Sequence, residues 1–245
     1  MNQAIGHFLN PMRRILAKRH VNKLTIAFRP FTDDVDKTAS TYETNTRSLI
    51  DLHNANVAID VGANIGVLTL WISRIVGPTG KVLALEPEPD NFQVLQYNVG
   101  LNSIDNVVPL QVALGSATGH ASMWIPSPSE MGRVGQIPSG HPKSRNFQAT
   151  LTTLDLLAAS CNLTTIDLIK IDVEGGELSV LKGGTNSLRK FGPKLIIEVH
   201  GPDSLARVMS LLHSLNFRIL SKESVGIMEN DLRSLIYTQP DWINP

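Results

Sequence analysis

The sequence predicts an α/β fold, a doubly wound and mostly parallel sheet of seven strands with helices on both faces. Three observations carry this. From residue 57 onward, short apolar runs alternate with segments of helical period, the pattern of a parallel sheet covered on both sides. A glycine turn, Gly62-Ala-Asn-Ile-Gly66, joins the first run to the first helical segment. Acidic residues recur where the strands should end, and such ends are where open α/β sheets bind ligands.

In order, 57–61 reads as a buried strand, and 65–76 as a helix with Val67, Leu68, Trp71, Ile72 and Ile75 on its apolar face. Strands follow at 81–85, 107–113, 166–171, 195–199, 217–220 and 234–237. The intervening helices are expected over 90–101, 153–160, 177–188 and 205–215. Crossovers between parallel strands should be right-handed. Residues 51–245 therefore form one domain, and residues 1–50 form an extension with a helix over 12–20 and a short strand over 24–28. Residues 126–148 are rich in Pro, Gly and Ser and poor in large apolar residues, the composition of a long functional loop.

With 42% apolar composition, the 245-residue chain can bury a substantial core. Its 22 basic and 22 acidic residues balance, which leaves no global field for nucleic acid. Cys161 is the only cysteine, so the chain has no internal disulfide and suits a reducing, cytoplasmic setting. No stretch approaches the ~20 apolar residues that span a bilayer. In a helix over 12–20, Met12, Ile15, Leu16 and Arg19 would share one face, with Arg13, Arg14 and Lys18 elsewhere. Such a helix would pack on the domain or a partner subunit, or make weak peripheral contact with a membrane.

The strand ends carry the chemistry. The first ends in Asp60 before Gly62, Asn64 and Gly66, the second in Glu86, and the third at Val112 and Ala113. The fourth ends in Asp172 and Glu174, the fifth in Glu198 and His200. A dinucleotide turn needs glycine at its middle position so that backbone can approach a pyrophosphate. Asn64 stands there, which disfavours a nicotinamide-dependent oxidoreductase. Glu86 follows the turn by about 20 residues, the spacing at which a carboxylate accepts the ribose hydroxyls of a nucleoside. A nucleoside without phosphates, set among acids, points to S-adenosylmethionine, whose sulfonium and amino groups are cationic.

At this point the residues resemble a known family. "IDVGANIGVLTL", "ALEPEPDNFQVLQYNVGLN", "VALGSATGHASMWIP", "TLDLL", "IDLIKIDVEGGELSVLKGG" and "IIEVHG" are similar, in order and spacing, to the FkbM-type methyltransferases over roughly residues 42–200. The resemblance implies a class I methyltransferase fold that uses S-adenosylmethionine, usually for O-methylation of natural products or glycans. It implies that Asp60, Gly62, Asn64 and Gly66 surround the amino-acid part of the cofactor, that Glu86 holds the ribose and that Val112 and Ala113 border the adenine. The "YETNT" segment would place Tyr42, Glu43 and Thr46 over the methionine end.

Asp172 and Glu174 are two apart, so in an extended segment both project to one side, toward the reacting methyl and the acceptor. Glu177 follows at a helix start, where the helix dipole favours a carboxylate. His200, paired with Glu198 on the next strand, is the candidate base for a hydroxyl acceptor, with an ordinary pKa near ~6.5. Two other readings stay open for it: a strand-capping histidine, or a ligand with Asp172, Glu174 and Glu198 of a divalent metal. The base is preferred over the metal. His141 is an outside candidate for substrate contact, and the remaining histidines read as surface or structural. The expectation is a catalytic O-methyltransferase acting on a small molecule, natural product or glycan, with homo-oligomerisation open. A methyltransferase fold kept only as a binding module is the rival from another class.

Overall fold

The computed structural model describes residues 16–21, 23–28, 56–125, 133–134, 145–224 and 233–241. The main sheet has the order β12-β13-β11-β10-β3-β4-β5. Its members are β3 (Val57–Val61), β4 (Lys81–Leu85), β5 (Val107–Leu110), β10 (Leu168–Ile171), β11 (Lys194–His200), β12 (Phe217–Ser224) and β13 (Arg233–Pro240). Strands β11, β10, β3, β4 and β5 pair in parallel, while β13 is antiparallel to both β11 and β12. The expected seven-stranded, mostly parallel sheet is present. The order reverses at β3, so the ends of β3, β4 and β10 face one crevice.

Pleating sends alternate strand residues to two cores. On one face, Ala58, Val82 and Ala84 pack with helices α1 (Val67–Val76) and α2 (Pro89–Leu101) through Leu70, Ile72 and Leu95. On the other, Ile59, Ile169 and Ile197 meet α3 (Leu154–Ser160), α4 (Glu177–Gly183), α5 (Thr185–Phe191) and α6 (Pro202–Ser214) through Leu157, Leu181, Leu188 and Leu212. The helix expected over 177–188 is two helices, because Gly184 caps the end of α4 and the start of α5.

Three local expectations change. Residues 17–20 are not helical: β1 (Ala17–Val21) and β2 (Leu24–Phe28) form an antiparallel hairpin. Val21, Leu24, Ile26 and Phe28 bury against the first core, and that gain outweighs the helical spacing of the segment. The buried Asn98 side chain fixes this hairpin, accepting from Ala27 N at 2.7 Å and donating to Ala27 O and Ile65 O. The membrane-facing helix is thus replaced by strand over 17–20, and residues 12–15 lie outside the described residues. No described helix is long and apolar enough to cross a membrane.

The strand expected over 107–113 stops at Leu110. The chain then enters a second sheet of order β6-β9-β7-β8, built from β6 (Ala113–Leu114), β7 (Gly119–Ile125), β8 (Arg133–Val134) and β9 (Arg145–Thr152). Parts of the segment expected to be a loop, residues 133–134 and 145–148, are therefore strand, with β9 the longer piece. Its pairing with β7 joins residues far apart in sequence, which no local period reveals.

Candidate active site

The crevice begins at the glycine turn. Gly62 has φ +81°, and a Cβ there would lie 1.8 Å from the Asp172 carbonyl oxygen, so the turn presses directly on the end of β10. Asn64 takes the left-handed conformation, φ +52°, and its backbone N–H donates to Glu86 Oε2 at 2.7 Å. Glu86 Oε1 accepts from Glu88 N at 2.9 Å. Each Glu86 oxygen keeps a further lone pair for another donor. Burial pushes the Glu86 carboxyl up to about 7, against the pull of the two backbone hydrogen bonds.

Glu88, in the "PEP" run after β4, is also buried. It caps α2 by accepting from Asn91 N, and it pairs with Arg145, whose other Nη lies 2.9 Å from Asp90. Arg145 thereby ties the second sheet to the rim. The cleft is lined by Gly62, Asn64, Glu86, Val112, Ala113, Asp172 and Glu174, with Met123 and Leu151 added from the second sheet. Most of the expected cofactor residues therefore meet in one place.

Two of them act differently from expectation. Asp60 is fully buried beneath the turn and does not line the cleft. Its Oδ2 accepts from Thr69 Oγ1 at 2.6 Å, and Lys170 Nζ stands 3.6 Å from its Oδ1. The pleat that points Val61 to the cleft side turns Asp60 toward α1. Gly66 also stays off the cleft; a Cβ there would meet Leu95 Cδ1 at 2.5 Å, so this glycine allows α1 to pack against α2. Glu43, with Tyr42 and Thr46, lies outside the described residues, as does His141.

Sequence reasoning passed over Lys170. It is buried on β10, 3.6 Å from both Asp60 and Asp172, and donates to Gly62 O at 3.3 Å. The signal was present: a single lysine inside the apolar run "DLIKID" needs an ionic partner if that run is a buried strand.

At the inner end of the crevice, Asp172, Glu174, Glu198 and His200 converge as expected. His200 Nε2 stands 3.6 Å from Glu174 Oε1, 3.8 Å from Glu198 Oε1 and 3.9 Å from Asp172 Oδ1. Its Nδ1–H donates to Glu177 Oε1 at 2.9 Å, and that fully buried carboxylate also accepts from Gly175 N. His200 opens onto a neighbouring groove lined by Ser204 and Arg207, so it stands between two depressions. Burial works to lower its pKa. The Glu177 hydrogen bond and the charges of Glu174, Asp172 and Glu177 outweigh that effect and raise it to about 9. Without a metal ion to compete for its ring nitrogen, such an imidazole holds its proton more tightly than the ordinary histidine expected from the sequence.

With this geometry in place, the comparisons are specific. The methyltransferase FkbM domain family matches residues 60–219, from the glycine turn to β12. The chain belongs to this FkbM methyltransferase family. It is 33% identical over 160 residues to the hexuronic acid methyltransferase AglP of Haloferax volcanii, covering 63% of this chain and 62% of that protein. It is 24% identical over 205 residues to the 31-O-demethyl-FK506 methyltransferase FkbM of Streptomyces tacrolimicus, covering 71% and 77% respectively. The crystal structure of methyltransferase FkbM from Methylobacillus flagellatus KT superposes with a TM-score of 0.57 at 20% identity, over 80% of this chain and 47% of that one. That likeness concerns the fold, a class I methyltransferase sheet.

An FkbM-family chain uses S-adenosylmethionine, and the cleft suits that cofactor. Gly62 and Asn64 line the cleft from the turn, and Glu86 offers spare lone pairs for ribose hydroxyls. Met123, Leu151, Val112 and Ala113 provide an apolar wall for an adenine ring.

Proposed function

We propose that this FkbM-family enzyme methylates a hydroxyl of a small molecule, natural product or glycan, and that Asp172 and Glu174 hold the acceptor at the inner end of the cofactor cleft. One observation carries the reading: carboxylates and an imidazole converge where the cleft ends, and Asp172 and Glu174 line it. When bound, S-adenosylmethionine supplies a methyl group on a cationic sulfur. Glu86 would take the ribose, and the backbone of Gly62 and Asn64 would flank the amino-acid part. Asp172 and Glu174 would accept the hydrogen bond of the acceptor hydroxyl, and with Glu198 they would form the carboxylate cluster that receives its proton, gathered around His200. Burial of the whole arrangement favours transfer by positioning and exclusion of water rather than by a covalent intermediate.

The relatives' substrates, a hexuronic acid and an FK506 precursor by their names, agree with a polyhydroxylated acceptor. The test is incubation with S-adenosylmethionine and a panel of phenols, diols, hexoses and hexuronates, followed by mass spectrometry. Formation of S-adenosylhomocysteine together with an O-methylated product is expected. Cofactor binding with methylation only of amines would overturn the reading.

A further inference from the structure

We propose that Asp172, Glu174 and His200 form a divalent-cation site, suited to Mn²⁺, beside the inner end of the cofactor cleft. Atoms of these three side chains all lie within 4.8 Å of one another. The separations of 3.6 and 3.9 Å between His200 Nε2 and the two carboxylates are too long for hydrogen bonds. They are what a shared ion produces, since ligand bonds of about 2.1 Å leave neighbouring ligand atoms roughly 3–4 Å apart.

Two further observations point to a ligand. The Asp172 side chain is nine-tenths buried, yet its Oδ1, aimed at the cluster, has no hydrogen-bond partner among the described residues. His200 Nε2 likewise has none. Second, His200 is oriented from behind. Its Nδ1 is held by the fully buried Glu177, the carboxylate–histidine arrangement that presents Nε2 to a metal. Charge agrees with geometry. Asp172, Glu174, Glu177 and Glu198 gather around one imidazole, and Lys170 offsets part of their charge while also serving Asp60. Carboxylate oxygens with one imidazole nitrogen favour a hard to borderline ion over a soft one.

The ion's use in catalysis rests on the methyl-transfer reading above; the site itself does not. A hydroxyl bound to the cation loses its proton more readily. The proton would pass to Glu198 or to water, the oxygen would bond to the methyl carbon, and the electron pair of the broken carbon–sulfur bond would remain on sulfur.

The experiment uses the full chain, stripped with a chelator, dialysed and titrated with MnCl₂ while electron paramagnetic resonance counts free ion. We expect saturation at one ion per chain, with nitrogen coupling from His200 in the bound signal. Glu174→Gln and His200→Gln should each weaken binding by at least ~10-fold, and His200→Gln should abolish the nitrogen coupling. Arg207→Ala, on the neighbouring helix, should bind as the parent does. Circular dichroism and S-adenosylhomocysteine calorimetry establish that each variant is folded. The proposal falls if the parent binds no Mn²⁺, Mg²⁺ or Zn²⁺ up to millimolar concentration, or if folded variants bind Mn²⁺ as tightly as the parent. If S-adenosylhomocysteine binds and methyl transfer persists without any ion, the ion's use in catalysis is overturned, while the Mn²⁺ titration alone decides the site. If the parent fails to bind S-adenosylhomocysteine, the methyl-transfer reading is lost instead.

Discussion

His200 donates from Nδ1 to Glu177 Oε1 at 2.9 Å, and Glu177, at the start of α4, is fully buried. A buried carboxylate at that position serves the imidazole as well as the helix. Its oxygens accept from His200, Gly175 N and Ser204 Oγ, so three elements meet on one side chain. Glu177→Gln keeps an acceptor but removes the charge and one acceptor oxygen. Methyl transfer should slow by roughly 10–100-fold, as when the orienting carboxylate of a functional histidine is changed. Affinity for S-adenosylhomocysteine should be preserved, because Glu177 lies outside the cofactor cleft. Single-turnover rates with parallel calorimetry check this, and an unchanged rate would reduce Glu177 to a helix-start acid.

The raised carboxyl of Glu86 predicts a pH dependence of cofactor binding. Ribose hydroxyls donate to the ionised form, whereas the free protein holds the Glu86 proton up to about pH 7. Affinity for S-adenosylhomocysteine should therefore rise as pH increases through 7 and level off above it. At pH 6 it should be weaker by about tenfold, the cost of one pH unit of proton competition. For stability of the free protein the sign is opposite. A folded pKa above the unfolded value of 4.5 contributes stability that is full below about 4.5 and lost as pH climbs to about 7. In Glu86→Gln both dependences should flatten, which calorimetry and thermal melts across pH 5–8 would reveal.

Much of this site is legible in the chain because it is built from strand ends and the turns that follow them. Gly62, Asn64, Glu86, Asp172 and Glu174 fall within short stretches whose strand–turn–helix context fixes their direction. Lys170 announces itself less directly, since its role depends on two carboxylates contributed by different strand ends. Met123, Leu151 and Arg145 are beyond local reading: they enter the site through the β7–β9 pairing, set by contacts distant in sequence. The hairpin of β1 and β2 misleads for a related reason. Leu16, Arg19 and their neighbours fit a helical period, but Asn98, far along the chain, holds the segment as strand.

Gly62 and Gly66 both have positive φ, yet their substitutions should differ. A Cβ at Gly62 meets the Asp172 backbone carbonyl at 1.8 Å, and neither strand end can retreat without breaking the parallel pairing of β3 and β10. At Gly66 the obstacle is the tip of the Leu95 side chain, which can rotate. Gly66→Ala should cost about 1–3 kcal/mol, mainly from backbone strain. Gly62→Ala should lower the melting temperature further and abolish S-adenosylhomocysteine binding. Equal losses in thermal melts and calorimetry would show that the turn relaxes as freely as the helix contact.

The buried ion network around Lys170 gives the last expectation. Its ammonium stands 3.6 Å from Asp60 Oδ1 and from Asp172 Oδ2 and donates to Gly62 O, so one cation joins β3, β10 and the glycine turn. Lys170→Met preserves most of the side-chain volume but leaves Asp60 and Asp172 without their shared counter-charge. Breaking a buried pair in this way typically costs about 3–5 kcal/mol, because the stranded charge remains desolvated. Asp60 has nowhere to reach water, being fully buried, whereas Asp172 borders the cleft. The penalty should therefore fall mainly on Asp60, and adding Asp60→Asn to Lys170→Met should recover a substantial part of the lost stability. Cofactor affinity should not recover in the double variant, since the Gly62 carbonyl still lacks its donor. Denaturant unfolding of the two single variants and the double variant forms the cycle that measures this coupling. Additive losses would mean that Lys170 serves the turn alone and that its approach to Asp60 carries no energy.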